Sequence, residues 1–280
     1  MTVRALSVVW AVVLIVVIGF TAFMERLGAS VFEKPLDIGG AEVVVVGSSL
    51  IRDAVPWDPV EGGIFGDGRL HKRLAKPLID ERMSLKYLRD AITGGATIVV
   101  VEISAFSFDY NRNSPEKTGP VSGPTRFDFI RDFSARIDLG IQQLGDEDDI
   151  VQDISYEYHD PREEFDGVPR EKYNLLFPLY PKRPKYDEAL REQIRRAKMQ
   201  GTDIVFVSMP RSATVEAYMS AEEYDALIDH QRAIAAEYGV PLIVLGPFWP
   251  DDHFRDISHP NIRGRERFLS EIADWIEARR

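Results

Sequence analysis

Four short runs of aliphatic residues punctuate the chain, at positions 41–46 (AEVVVV), 97–103 (TIVVVEI), 203–208 (DIVFVS) and 241–245 (PLIVL). Continuous runs of this length suit strands buried on both faces, rather than half-exposed strands with alternating polarity. Between them the apolar period becomes helical. Positions 80–92 carry Met83, Leu85, Leu88 and Ile92, and positions 184–199 open on Pro184 and carry Leu190, Ile194 and Ala197. Positions 220–238 begin with Ser220 and Glu223 at capping-box spacing and stop at Gly239. A last helix starts near Pro260 and runs towards the C-terminus. Alternating strands and helices predict an α/β fold built on a flavodoxin-like, doubly wound parallel sheet. Ligands of such sheets bind beyond the C-terminal ends of the strands.

Two segments break this rhythm. Positions 5–24 contain no charged residue. At a helical rise of about 1.5 Å per residue they span roughly 30 Å, the hydrocarbon thickness of a bilayer. A cleaved signal peptide has a shorter apolar core, of about 7–15 residues. The expected organisation is a transmembrane anchor at 1–24, a tether at 25–40 ending in Gly39 and Gly40, and a domain at 41–280. Arg4 precedes the span, while Glu25, Arg26, Glu33 and Lys34 cancel after it. This asymmetry favours a cytoplasmic N-terminus and an extracytoplasmic, periplasmic body. The second exception is an insertion at about 105–183, rich in proline and aromatic residues, with an acidic run at 146–149 and a helical stretch at 125–144. Long excursions of this kind often form lids or binding surfaces. Tyr156, Tyr158, Phe165, Tyr173, Phe177 and Tyr180 either pack the insertion onto the core or stack on sugar rings.

Composition removes several classes of function. With 34 basic and 45 acidic residues the net charge is −11, so there is no cationic excess for neutralising nucleic-acid phosphates. The absence of cysteine excludes disulfides, thiolate metal sites and cysteine nucleophiles. Asp251, Asp252, His253, Asp256 and His259 lie close together, but their spacing fits no zinc motif. No metal or cofactor is expected. His71, His159 and His230 are isolated and read as packed or solvated side chains.

The chemistry lies at the two ends of the domain. Gly47-Ser48-Ser49 follows the first aliphatic run, and Asp256-Ile257-Ser258-His259 follows the last. A serine nucleophile needs a base to take its proton, and the base needs an acid to fix its tautomer. Strand-end positions put both blocks on one edge of the sheet, with Ser48 and Ser49 both available as nucleophile. Arg211 follows the third run and is a candidate for holding an anionic or hydroxyl-rich substrate at the same edge.

These blocks resemble those of the SGNH (GDSL-like) hydrolase superfamily. Gly47-Ser48-Ser49-Leu50 is similar to its first block, with serine in place of aspartate, and Asp256 and His259 are similar to its last block. Pro260, Asn261 and Gly264 fit the continuation. The resemblance implies Ser49 as nucleophile, His259 as base and Asp256 as orienting acid. It also implies an oxyanion hole, but no Gly-x-Asn-Asp block occurs. Ser104 is the candidate in the place of the asparagine, and Gly66 or Gly68 in that of the glycine. The serine variant, with an anchor, is similar to members that handle acyl groups on cell-envelope polymers, such as the alginate O-acetylation and teichoic acid D-alanylation proteins. That likeness implies an esterase or O-acyltransferase acting on O-acetyl groups of a polysaccharide, with a membrane acyl-donor protein as a possible partner. The alternative is a catalytically inactive binding or scaffold subunit of an envelope polysaccharide machine.

Overall fold

The computed structural model describes residues 36–56, 68–76, 79–108, 181–217, 219–246 and 248–278, and these belong to one compact unit. In chain order the elements are β1 (Val43–Gly47), α1 (Ser49–Ala54), β2 (His71–Ala75), α2 (Glu81–Thr93), β3 (Ile98–Glu102), α3 (Ser104–Ser107), α4 (Asp187–Gln200), β4 (Asp203–Ser208), β5 (Arg211–Ser212), α5 (Ala221–Tyr238), β6 (Leu242–Val244), β7 (Phe248–Trp249) and α6 (Ile262–Glu277). Short 3₁₀ turns occupy Ala213–Ala217 and Asp251–His253.

The four aliphatic runs form β1, β3, β4 and β6. They join β2 in one parallel sheet of order β2-β1-β3-β4-β6. This is the flavodoxin-like order predicted from the alternation of elements. Its strand order switches direction between β1 and β3, and it is beyond the C-terminal ends of strands at such a switch point that sheets of this kind bind their ligands. Val43, Val44, Val45, Val46, Val99, Val100 and Val101 are all inaccessible to solvent, as strands covered on both faces require.

The sequence pattern did not anticipate β2, because His71, Lys72 and Arg73 make it read as a polar segment. The strand lies at the sheet edge, and Arg73 is nevertheless buried. Its guanidinium donates to the carbonyl oxygens of Arg52 and Val55, the latter at 2.7 Å. These carbonyls belong to the end of α1, where a cation is favoured by the helix dipole. A charged side chain is thus drawn inside by the open end of a short helix. The small parallel pair of β5 and β7 was also unforeseen.

Helix boundaries follow local chemistry. Asp80 caps α2, and the expected capping box of Ser220 and Glu223 starts α5, which ends at Gly239 with φ of 61°. Pro184 was expected in the first turn of α4 but lies before it. The Glu81 carboxylate accepts the N–H groups of Lys185 (2.9 Å) and Tyr186 (2.7 Å), so the helix begins only at Asp187.

The end of the expected tether already belongs to the domain. Ile38 is buried, and Leu36 donates to the Asp90 carboxylate at 3.3 Å. Likewise, α3 is buried in the core rather than in an insertion. Phe108 and Pro181 form an antiparallel bridge, and Lys182 N–H donates to the Ser107 carbonyl at 2.9 Å. Phe108 and Pro181, at the ends of two described segments, thus lie side by side. Residues 109–180, including the aromatic residues and the 125–144 helix expected there, lie outside the described residues, as do residues 1–35 with the expected anchor. Among the described residues no helix is long and apolar enough to cross a membrane.

Replacing Arg73 with methionine should leave the two α1 carbonyls without their buried donor. The expected loss is roughly 1–3 kcal/mol of unfolding free energy, measured by urea denaturation.

Candidate active site

The segment between β7 and α6 folds back on itself. Phe254 and Pro260 form an antiparallel bridge, and Arg255 N–H donates to the His259 carbonyl at 3.0 Å. This closes a tight loop over residues 255–259. Within it, Asp256 Oδ1 accepts the backbone N–H groups of Ser258 (2.8 Å) and His259 (2.7 Å). The other oxygen, Oδ2, faces His259 Nδ1 at 2.7 Å. Three local contacts therefore fix both the carboxylate and the ring.

The loop itself is held from α6. Asn261 Oδ1 accepts the N–H groups of Arg263 and Gly264, while its Nδ2 donates to the carbonyls of Asp252 (2.9 Å) and Phe254 (3.1 Å). Gly264 permits this close approach, since a Cβ there would fall 2.2 Å from the His253 carbonyl oxygen. Beneath, Trp249 is buried with the Arg267 guanidinium 4.4 Å above its ring.

On the other side stands Ser49, the first residue of α1. Its Oγ lies 2.8 Å from His259 Nε2. If His259 Nδ1–H donates to Asp256, Nε2 presents a lone pair and accepts the Ser49 O–H. The two serines left open by the residues alone now differ. Ser48 is the N-cap, in extended backbone, and its Oγ accepts the Leu50 N–H at 3.2 Å. Of the two, Ser49 is the one that faces the imidazole.

Burial pushes the Asp256 carboxyl towards its neutral form. The hydrogen bond and charge of His259, together with the N–H groups of His259 and Ser258, outweigh that and hold it at about 2. The side chains of His259 and Asp256 remain 23% and 22% exposed, so the site opens to solvent.

One residue at the site was missed by sequence reasoning. Glu102 ends β3 and is 1% exposed. Its carboxylate accepts the Ser48 N–H at 2.7 Å and the Ser104 hydroxyl. It also packs against Gly47, where a Cβ would lie 2.7 Å from Glu102 Oε2 and 2.3 Å from Ile51 Cγ1. The available signal was a single acid at the C-terminal end of an otherwise aliphatic buried strand. Ser104, expected as an oxyanion donor, directs its proton to Glu102 instead. The reason is that α3 begins two residues after Glu102 and sets the hydroxyl against that buried carboxylate.

Gly66 lies outside the described residues. Gly68 is described, with φ of 75°. Arg211 starts β5, and the next residue, Ser212, donates its N–H to the Ile257 carbonyl of the loop at 3.1 Å. The Arg211 charge lies near the Tyr224 hydroxyl, which burial raises to about 12. His253 Nδ1 meets Asp252 at 3.0 Å, and His230 Nε2 meets the Lys182 carbonyl at 2.9 Å. His71 is buried, which lowers its pKa, and His159 lies outside the described residues. Among the described residues no cluster of three or more potential metal ligands occurs.

No protein-family model matches the chain, and no curated protein does. Among solved structures, it is similar to a GDSL-like lipase from Bacteroides thetaiotaomicron, at 12% identity, with 93% of this chain and 100% of that one covered and a TM-score of 0.42. It is similar to an acetyl-xylooligosaccharide esterase from Geobacillus at 12% identity, covering 86% and 96%, with a TM-score of 0.42. A carbohydrate acetylesterase from Sinorhizobium meliloti shares 14% identity over 85% and 99%, with a TM-score of 0.37.

Two expectations follow from the geometry. Gly47→Ala forces a methyl group into Ile51 and Glu102, so stability should fall by about 1–3 kcal/mol in chemical denaturation. The depressed Asp256 pKa makes its stabilising contribution complete above the ordinary value of 3.8 and lost as pH falls towards 2. The difference in Tm between wild type and Asp256→Asn should therefore narrow across that interval, and a constant difference would contradict the assignment.

Proposed function

We propose that this protein is a serine-dependent acyl-ester enzyme. The observation that carries the reading is the continuous hydrogen-bonded series Ser49 Oγ, His259 Nε2, His259 Nδ1 and Asp256 Oδ2, at 2.8 and 2.7 Å. Ser49 Oγ attacks an acyl carbonyl and passes its proton to His259 Nε2. Asp256, ionised throughout the working range, holds the ring and stabilises the imidazolium. The Ser49 backbone N–H, in the first turn of α1 and without an intrahelical acceptor, supplies an oxyanion donor. His259 then returns the proton to the departing alcohol, leaving Ser49 acylated. Water or a sugar hydroxyl accepts the acyl group, giving hydrolysis or O-acyl transfer.

The substrate we propose is an O-acetylated polysaccharide outside the cytoplasm. The uncharged run at 5–24 supports this, as does the likeness of the Gly47-Ser48-Ser49 and Asp256–His259 blocks to envelope acyl-handling proteins. A membrane protein that donates acyl groups is the matching partner for the transfer reaction. One observation favours the inactive-module alternative: the Ser104 proton is committed to Glu102, so that side chain supplies no oxyanion donor. Turnover of a chromogenic acetyl ester that disappears in His259→Ala rules out the alternative.

A fluorophosphonate probe should label the wild-type protein and leave Ser49→Ala unlabelled, with ester turnover falling about 10³-fold or more in that variant. Labelling that persists in Ser49→Ala sinks the assignment. Acetate release compared with acetyl incorporation into an added oligosaccharide separates hydrolysis from transfer.

A further inference from the structure

Ser49 and Asp53 stand four residues apart on α1, so they project from one face of the helix. Across from that face runs the 255–259 loop. Ser49 Oγ meets His259 at its far end, and Asp53 meets Arg255 at its near end. Arg255 Nε and Nη2 both donate to Asp53 Oδ2, at 3.1 and 2.9 Å. Asp53 is 1% exposed and Arg255 21%, so the pair is largely shielded from solvent. Arg52 Nε donates to the other Asp53 oxygen at 3.1 Å, and Arg265 Nε donates to the Asp53 backbone carbonyl at 3.0 Å. The loop is closed between its two contacts by the bond from Arg255 N–H to the His259 carbonyl. Helix and loop thus form two rails joined by two rungs, one helical turn apart.

The rungs behave differently during an acyl-transfer cycle. Once Ser49 Oγ is esterified it has no proton to donate, and the upper rung is lost. The lower rung takes no part in bond making and persists. We infer that the Asp53–Arg255 pair is a positioning device that keeps His259 in register above Ser49 in the acyl-enzyme. The inference rests on the reading of Ser49 as nucleophile. In the second half-reaction, His259 Nε2 takes a proton from water while the water oxygen bonds to the acyl carbon. The ester bond to Ser49 Oγ then breaks, and the proton returns to that oxygen. Without the lower rung, the loop loses this second hold from α1 through this step, and deacylation should suffer more than acylation.

The test is stopped-flow hydrolysis of p-nitrophenyl acetate by the full chain, with acyl-enzyme followed by intact-protein mass spectrometry. Arg255→Met and Asp53→Asn should slow deacylation roughly 10–100-fold, the scale of a modest misplacement of a catalytic group. Acylation should change by less than about threefold on the same scale, so acetyl-Ser49 accumulates. Arg255→Lys keeps the charge and should recover part of the deacylation rate. The double variant should be no slower than the slower single variant, as expected of residues acting as one unit. Ile272→Val, a core change in α6, should lower Tm while leaving the ratio of the two steps unaltered. Equal losses in both steps, or none, while Ser49→Ala is inactive overturn the positioning role alone. Wild-type turnover in Ser49→Ala overturns the nucleophile reading and the inference with it.

Discussion

A helix of six residues makes fewer than two turns, and in isolation such a segment does not persist. Here it carries the serine on which the whole site depends, so its stability must come from outside itself. Leu50, Ile51 and Ala54 bury one side against the sheet and α6. Arg73 closes its carbonyl end from β2, and Arg265 reaches its last turn from α6. At its start, Glu102 takes up the Ser48 N–H. Elements drawn from most of the chain therefore converge on one and a half turns of backbone. The geometry that sets Ser49 against His259 is the product of the tertiary fold rather than of the Gly-Ser-Ser segment.

This division explains what could be read from the amino-acid order. The four central strands were legible because burial on both faces leaves a continuous aliphatic run. Helix starts were legible where a side chain caps its own backbone, as Ser220 and Glu223 do. The pairing of Ser49 with Asp256 and His259 was legible from two sources together: strand-end positions put both blocks on one edge of the sheet, and the likeness of the blocks to those of a known family singled out Ser49 over Ser48. In contrast, β2 was hidden by its polar residues, of which Arg73 answers to α1 rather than to its own neighbours. Glu102 was hidden for a similar reason, since its partners are a backbone amide 54 positions away and a serine in the following helix. Asp53 and Arg255 stand 202 positions apart and carry no local pattern at all.

The local and long-range parts of the site have separate duties. Asp256 and His259 are oriented almost entirely by their own loop, through an internal turn and the bridge between Phe254 and Pro260. Such a unit holds its carboxylate and imidazole paired through contacts of its own. What remains is to place it against a serine from the opposite end of the domain. That placement falls to Asn261 and Gly264 on one side and to Asp53 and Arg255 on the other.

The bridge between Phe108 and Pro181 has a consequence for how the fold assembles. It joins residues far apart in the chain, and bringing such residues together costs a closure entropy that grows with the logarithm of their separation. The contacts beside it offset that cost: Lys182 N–H donates to the Ser107 carbonyl, and the Glu81 carboxylate accepts the N–H groups of Lys185 and Tyr186. Non-local pairings of this kind set a slow pace for folding, since closure precedes the contacts that reward it.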